Sequence, residues 1–506
     1  MYILYLIAYG TQGGRVDCLG ILAATPRVCK IDAMPVAILD AVRYVVLHGE
    51  RSRATAAFVA WLEKKLGVTI VYDRRTVPFD REDLIEAFTL ASTLIQAGIV
   101  DSYHPFATQP DEPPLTAWRA YTRQGVQPSG GGAWRKDNAA LMAALAEALE
   151  RYLWREAGDT SRPQTASSRE MLRRRIAHVP PARFASFSKT ERGADQKRVF
   201  DDDTPFQWIT GVSLTSGAHV WLPAQTVMGS RSFATEPLIR SRNTTGLATG
   251  RSQDGARLAG LLECIERDAW MTLWLNHLTL PRLDLPSLEA KNRGFADLLA
   301  ACVRYRLHPH AIRMPTDAPT EAVLMVVEDV SGQAPRFVAG LGAHQSTVRA
   351  TEKALIEALR IRRSTRTHST DTTETAPVKP QDVLHNNRAR YYAREENASK
   401  LAFLIAGPIE KPVSAAWEED TDAAHLTRLL TWCHSEEYEC VTVPFTHSRK
   451  NPTALHVEMV VMPDLSPMHL DEQERMTGGV RLRTVPRKLG IATPAELFVA
   501  EPHPFV

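Results

Sequence analysis

Apolar positions recur along this chain in two periods. Three stretches carry the three-and-four spacing of helices that bury most of their circumference. They are residues 139–154 (AALMAALAEALERYLW), the end of the segment 243–275 (NTTGLATGRSQDGARLAGLLECIERDAWMTLWL) and residues 349–363. In the second of them Leu258, Leu261, Leu262, Ile265, Trp270, Met271, Leu273 and Trp274 leave little room for a wet face, so this helix belongs in a core. Further helical runs cover 37–47, 53–66, 82–97 and 424–434. Strand-like runs cover 2–9, 21–31, 68–72, 439–444 and 456–461. Two hairpins are predicted: 207–214 with 218–223 across Thr215-Ser216-Gly217, and 322–328 with 335–340 across residues 329–333.

This interleaving predicts an α/β fold of mixed sheets with packed helices. Residues 1–100 read as a small α+β domain, compatible with a winged-helix-like peptide-binding or docking module and equally with a plain cap. The Pro-rich stretch 101–114 reads as a linker, and the main domain runs from 115 to 506. Residues 156–205 are charged and irregular, and the basic run 169–175 reads as a solvated helix face. Residues 364–399 are polar and Pro-bearing, which predicts an exposed, partly mobile loop. The final PHPFV is stiff enough to dock, with fraying the even alternative.

The chain has 506 residues, 44% of them apolar and 23% charged, which is ordinary for a globular protein with a large core. A net charge of +2 gives no case for a nucleic-acid or membrane partner. The opening MYILYLIAYG lacks a basic lead and a cleavage site and is too short to span a bilayer, so it reads as a buried strand. Six scattered cysteines fit reduced thiols and a cytoplasmic location better than a disulfide framework. Cys433, His434 and Cys440 make a weak metal pattern with no second pair in view.

The chemistry sits in the apolar helices. Glu147, Glu150 and Arg151 have E-x-x-E-R spacing, and so do Glu263, Glu266 and Arg267; the third helix offers Glu357, Arg360 and Arg362. Three-and-four spacing puts Glu263, Glu266 and Arg267 on one side of their helix, and Glu147, Glu150 and Arg151 repeat that spacing. One such set is ordinarily a surface ion pair. Repeated inside Ala/Leu-rich helices, these carboxylates must be paired or bound to a cation. Hard Mg²⁺ takes oxygen ligands, and arginine grips phosphate in a fork. Gly-rich leads precede these helices, at Pro128-Ser129-Gly130-Gly131-Gly132 and at Gly246, Gly250 and Gly255; a Gly-rich turn at a helix N-terminus can cradle phosphate, although the signal alone is weak.

Together with GLATG leading to GLLECIERDAWMTLWLNHLTLPRLDL, with GLGAHQSTVRATEKALIEALRIR, MTGGVRLRTVPRKLG and the terminal PHPFV, these residues resemble the YcaO family and its azoline-forming cyclodehydratases over roughly residues 115–506. The resemblance implies an enzyme that uses ATP and Mg²⁺ to activate backbone amides of a ribosomally made precursor peptide. A Cys, Ser or Thr side chain then closes to a thiazoline or oxazoline. It implies metal and nucleotide roles for Glu147, Glu150, Glu263, Glu266 and Glu357, phosphate contacts for Arg151 and Arg267, and an active-site role for Pro502 and Pro504. This chain departs from the family pattern at Ala133, Ala143, Arg251, Gly255 and Arg360, and the extra Arg251 and Arg360 are assigned to ATP phosphates. Implied partners are the precursor peptide, a leader-binding protein and a flavin-dependent dehydrogenase; a homodimer is also compatible. Two alternatives stand beside the cyclodehydratase: thioamide or amidine formation on the same fold, and a catalytically silent scaffold that binds peptide or partner proteins.

Overall fold

The computed structural model describes residues 8–12, 15–19, 44–48, 69–73 and 81–505, apart from 107, 110, 123–128, 134–136, 157–162, 230–232, 369–378, 385–386, 413–414, 416, 419 and 446–449. The predicted strand 21–31 and helix 53–66 lie outside these residues. The chain forms two compact units. The first comprises Met1–Phe106, Thr116–Gly131 and Arg135–Leu145; the second comprises Ala107–Leu115, Gly132–Trp134 and Ala146–Val506.

In the first unit β1 (Ala8–Gln12) and β2 (Arg15–Leu19) form an antiparallel pair, and β3 (Tyr44–His48) runs parallel to β4 (Thr69–Asp73). The end of the predicted helix 37–47 is therefore a strand. Tyr44, Val45 and Val46 are strand formers, and the partner at Thr69–Asp73 supplies the ladder that local spacing cannot reveal. Helix α1 (Arg81–Gln96) packs Ala87, Ala91 and Leu94 inward. A three-stranded sheet follows: β5 (Val100–Pro105), β6 (Thr116–Thr122) and β7 (Ser129–Ala133). Part of the predicted linker is thus a strand, and so is the predicted Gly-rich turn over 129–132. The glycines of β7 serve close packing: a Cβ on Gly131 would lie 1.9 Å from the Ala140 carbonyl oxygen of helix α2 (Asp137–Glu156).

The second unit contains β8 (Gln164–Ser167), β9 (Pro205–Ser213), β10 (His219–Pro223), β11 (Leu247–Gly250), β12 (Arg282–Leu283), β13 (Leu307–Arg313), β14 (Glu321–Asp329), β15 (Phe337–His344), β16 (Ile409–Glu410), β17 (Val441–Pro444) and β18 (His456–Val461). One sheet has the order β10-β9-β17-β18-β11, with β8 also on β9; the other has the order β15-β14-β13-β12-β16. Both predicted hairpins are present, as β9–β10 and β14–β15. Helix α3 (Gln253–Leu275) touches β11 and β18 of the first sheet and β14 and β15 of the second. A helix held between two sheets keeps little solvent face, which is why its sequence is apolar nearly all round. Helix α4 (Thr347–His368) lies on β14 and β15. Helices α5 (Asp422–Ser435) and α6 (Arg481–Lys488) pack against α3. Among the described residues no helix is long and apolar enough to cross a membrane.

The region 364–399 is not an exposed loop where it is described. Helix α4 extends to His368, and Val383, Arg388, Tyr391, Tyr392 and Ala398 are buried. Burial of the Arg388 guanidinium is compensated by Glu472 at 2.5 Å. Elsewhere Arg363 and Arg362 of α4 enter the core by pairing with Glu112 at 2.6 Å and Asp329 at 2.5 Å. The tentative metal pattern near residue 433 also dissolves: Cys433 and Cys440 are buried free thiols, while His434 is exposed.

Close approach also governs β15 and α4. A Cβ on Gly340 would lie 2.2 Å from the Ala354 oxygen and 2.4 Å from the Ala358 nitrogen. Gly340→Ala should therefore push α4 off its strand and cost about 1–3 kcal/mol, read as a lower midpoint in urea denaturation. An unchanged midpoint would refute this packing.

Candidate functional site

Three helices supply one acidic group. From α2, Glu147 pairs with Arg151 at 2.5 Å. From α3, Glu263 accepts a hydrogen bond from the Gly246 N–H at 2.9 Å. On the same helix Arg267 lies 3.4 Å from Glu263 and 3.7 Å from Glu266. From α4, Glu357 accepts from the Leu341 N–H at 2.6 Å and stands 3.9 Å from Arg360. The helical spacing legible in the sequence orients each set, and β11 and β15 place the backbone donors that aim two of the carboxylates.

The sets share one electrostatic field. Burial pushes the Glu150 carboxyl up to about 8; Thr249 draws it partly back, and the charges of Glu147 and Glu263 push it further. Burial also raises Glu263, against the pull of Arg267 and with a contribution from Glu357. Glu266 is raised by burial against Arg267 and Lys353, and Glu357 by burial against Arg267, with Glu266 adding to the rise. Arg267 is the shared counter-ion: burial works against its charge, but Glu266, Glu263 and Glu357 together hold it more firmly protonated than usual. Glu263 nevertheless keeps 29% of its side chain exposed, so the group opens on solvent while protein surrounds it.

This arrangement fits a hard divalent cation. Burial holds four carboxylates above their ordinary range, and a bound cation would favour their charged form. It also fits an oxyanion, because Nη1 of Arg267 is buried without a protein hydrogen-bond partner.

The residues expected at the site are not equally placed. Glu147, Glu150, Glu263, Glu266, Glu357, Arg151, Arg267 and Arg360 fall within this group. Arg251 is exposed just before Ser252, which caps α3 through the Gly255 N–H at 3.1 Å. The predicted turn around Gly250 is strand β11 ending at that cap. Pro502 and Pro504 are buried in a docked tail. Tyr392 donates to the Pro502 carbonyl, and Arg388 donates to the His503 carbonyl at 2.6 Å. The tail reaches the acidic group through Phe505, which is 2% exposed and lies 4.4 Å beneath the Arg267 guanidinium.

Sequence reasoning missed Lys353, Thr249 and Phe505. Lys353 stands four residues before Glu357, a spacing that could have disclosed it. Phe505 carried no local signal. Among the described residues His469, Glu472 and His503 form the one group with metal-ligand proximity. Glu472 already holds Arg388 at 2.5 Å and Arg475 at 2.6 Å, so positive charge surrounds this trio and it anchors the tail.

A family model described as YcaO cyclodehydratase, ATP- and Mg²⁺-binding, matches residues 131–466. An uncharacterized protein in the tfuA 3′ region of Rhizobium leguminosarum bv. trifolii is 26% identical over 231 residues, 40% of this chain and 53% of that protein. The chain spans about half the length of the curated relatives it matches. A heterocyclase solved in complex with substrate and cofactor superposes with a TM-score of 0.68 at 20% identity, covering 82% of this chain and 57% of that one. YcaO from Methanopyrus kandleri, bound with AMPPCP and Mg²⁺, superposes with a TM-score of 0.55 at 18% identity over 76% of this chain and 90% of that one. These likenesses establish the fold.

The Glu150 carboxyl makes the metal-free site sensitive to pH. Its folded value of about 8 exceeds the ordinary 4.5, so between those values the folded chain holds a proton that the unfolded chain has released. Stability falls as pH rises through that window. Glu150→Gln should melt higher than the parent at pH 8 in EDTA, and the difference should vanish near pH 5. Equal melting at both pH values would show that Glu150 is not strained.

Proposed function

The chain belongs to the YcaO family, and on that footing we propose that it is an ATP- and Mg²⁺-dependent cyclodehydratase acting on a ribosomally made peptide. The observation that carries this reading is the convergence of five glutamates: Glu263, Glu266 and Glu357 around Arg267, with Glu150 and Glu147 joined to them through Glu263. In the proposed reaction a Cys, Ser or Thr side chain of the peptide adds to the preceding backbone carbonyl. The resulting oxygen accepts the γ-phosphoryl group of ATP and departs as phosphate, leaving ADP and a thiazoline or oxazoline. An amide oxygen is a poor leaving group, and phosphorylation makes it a good one. Such a transfer needs positioning and charge neutralisation more than covalent help from the protein.

Bound Mg²⁺ supplies positive charge to the triphosphate and to the carboxylates that hold it. The five glutamates are its proposed ligands. Arg267 and Arg151 are proposed to grip phosphate oxygens, with Arg360 and Arg251 as further contacts. The tail bearing Pro502 and Pro504 is proposed to wall the site through Phe505. The strain on Glu150 supports an active enzyme over a silent scaffold, since like charges gathered without a cation lower stability with no compensating function. Residues 1–100 are proposed to hold the leader of the peptide or dock a leader-binding protein, and a flavin-dependent dehydrogenase would oxidise the rings.

The test incubates the full chain with the precursor peptide encoded beside it, the neighbouring proteins, ATP and Mg²⁺. Each ring should lower the peptide mass by one water and release one phosphate. Glu263→Ala should slow this by on the order of 100-fold or more. A mass gain from sulfide would favour thioamide formation. No mass change, with all partners present, would overturn the reading.

A further inference from the structure

The segment from Pro237 to Asn243 is pinned on both sides of Arg240. Gln225 donates to the Pro237 carbonyl at 2.9 Å and accepts from the Ile239 N–H at 2.9 Å. The Ser186 hydroxyl donates to the Ile239 carbonyl. Ser241 donates to Glu474 at 2.6 Å, and Asn243 to the Met468 carbonyl at 2.8 Å. The backbone that carries Arg240 is thus held in place by groups other than Arg240 itself.

The side chain has a platform and no counter-ion. Its guanidinium lies 5.0 Å from the ring of Phe184, a buried residue. Among the described residues no carboxylate pairs with it, and the one titratable neighbour that bears on it is the Cys264 thiol, which burial keeps protonated. Burial holds its pKa down to about 10, with no carboxylate to restore it. The other enclosed arginines differ. Arg267 has Glu263 at 3.4 Å, Arg362 has Asp329 at 2.5 Å, Arg388 has Glu472 at 2.5 Å, and Arg481 has Asp268 at 2.9 Å. Cys264, next to Glu263 in the chain on α3, feels the charges of both Glu263 and Arg240. An enclosed guanidinium lowers stability unless an anion joins it, and its planar fork suits phosphate or carboxylate.

We propose that Arg240, seated on Phe184, is the receptor for an oxyanion of a ligand, a phosphate or a carboxylate. The receptor itself does not depend on the cyclodehydratase reading; only the assignment of the anion to nucleotide or peptide rests on it.

Inorganic phosphate and pyrophosphate are the probes, with thermal melting of the full chain as the first readout. Arg240→Met keeps the length of the side chain and removes the charge. Without ligand it should melt at or above the parent, because an unpaired charge is gone. Pyrophosphate should raise the midpoint of the parent markedly and that of Arg240→Met much less, with Arg240→Lys between. Calorimetry then assigns the source. A loss of about tenfold or more in affinity for ATP·Mg²⁺, with peptide affinity unchanged, makes the anion the nucleotide's. A matching loss for peptide alone, reproduced by neutralising its acidic residues, makes it the peptide's. Equal pyrophosphate stabilisation of the parent, Arg240→Lys and Arg240→Met overturns the proposal, and so does an Arg240→Met chain that melts lower yet keeps its full response. If no rings form but the pyrophosphate response still disappears with Arg240→Met, the cyclodehydratase reading fails and the receptor stands.

Discussion

Five glutamates gather in the second unit, three of them around the single guanidinium of Arg267, and much else in that unit answers to their repulsion. Arg267 lies within 3.4 Å of Glu263 and 3.7 Å of Glu266, and it also feels Glu357. One guanidinium cannot neutralise so many carboxylates, and burial raises Glu150, Glu263, Glu266 and Glu357 together. Such an arrangement is a cost in the ligand-free chain and an advantage once a divalent cation is bound. Sites shaped by function commonly carry strain of this kind.

The surrounding fold keeps the repulsion from spreading the helices apart. Helix α3 is clamped between two sheets, and the Trp270 and Trp274 rings fill the core at its C-terminal half. Helix α4 rests on β15 at a distance only Gly340 and Gly342 permit, so that Glu357 meets the Leu341 N–H. The tail completes the support. Its backbone is held by Tyr392 and Arg388, and Phe505 lies under the face of Arg267. Packing energy from apolar contacts elsewhere thus offsets local electrostatic strain.

The departures from the family pattern can be reread in this light. Ala133 and Ala143 stand where the resemblance implies polar groups, whereas the glutamates it implies gather in one acidic group. Arg360 brings a guanidinium to the acidic group from α4, while Arg240 stands on a pinned loop.

The helices, their E-x-x-E-R faces and the two hairpins could be read from local periodicity, because spacing along one element decides which side chains share a side. The strand at Tyr44–His48, the strand at Ser129–Ala133 and the buried course of residues 388–398 could not. Each depends on a partner far away in the chain: a β ladder, a helix approaching a glycine, or Glu472 paired with Arg388. Sequence alone determined which residues carry the charge. Tertiary structure decided that Glu263 acts on Glu150 and feels Glu357, that Phe505 lies beneath Arg267, and that Arg240 has no acidic partner among the described residues. Those are distances between elements, and no periodicity within a single element encodes them.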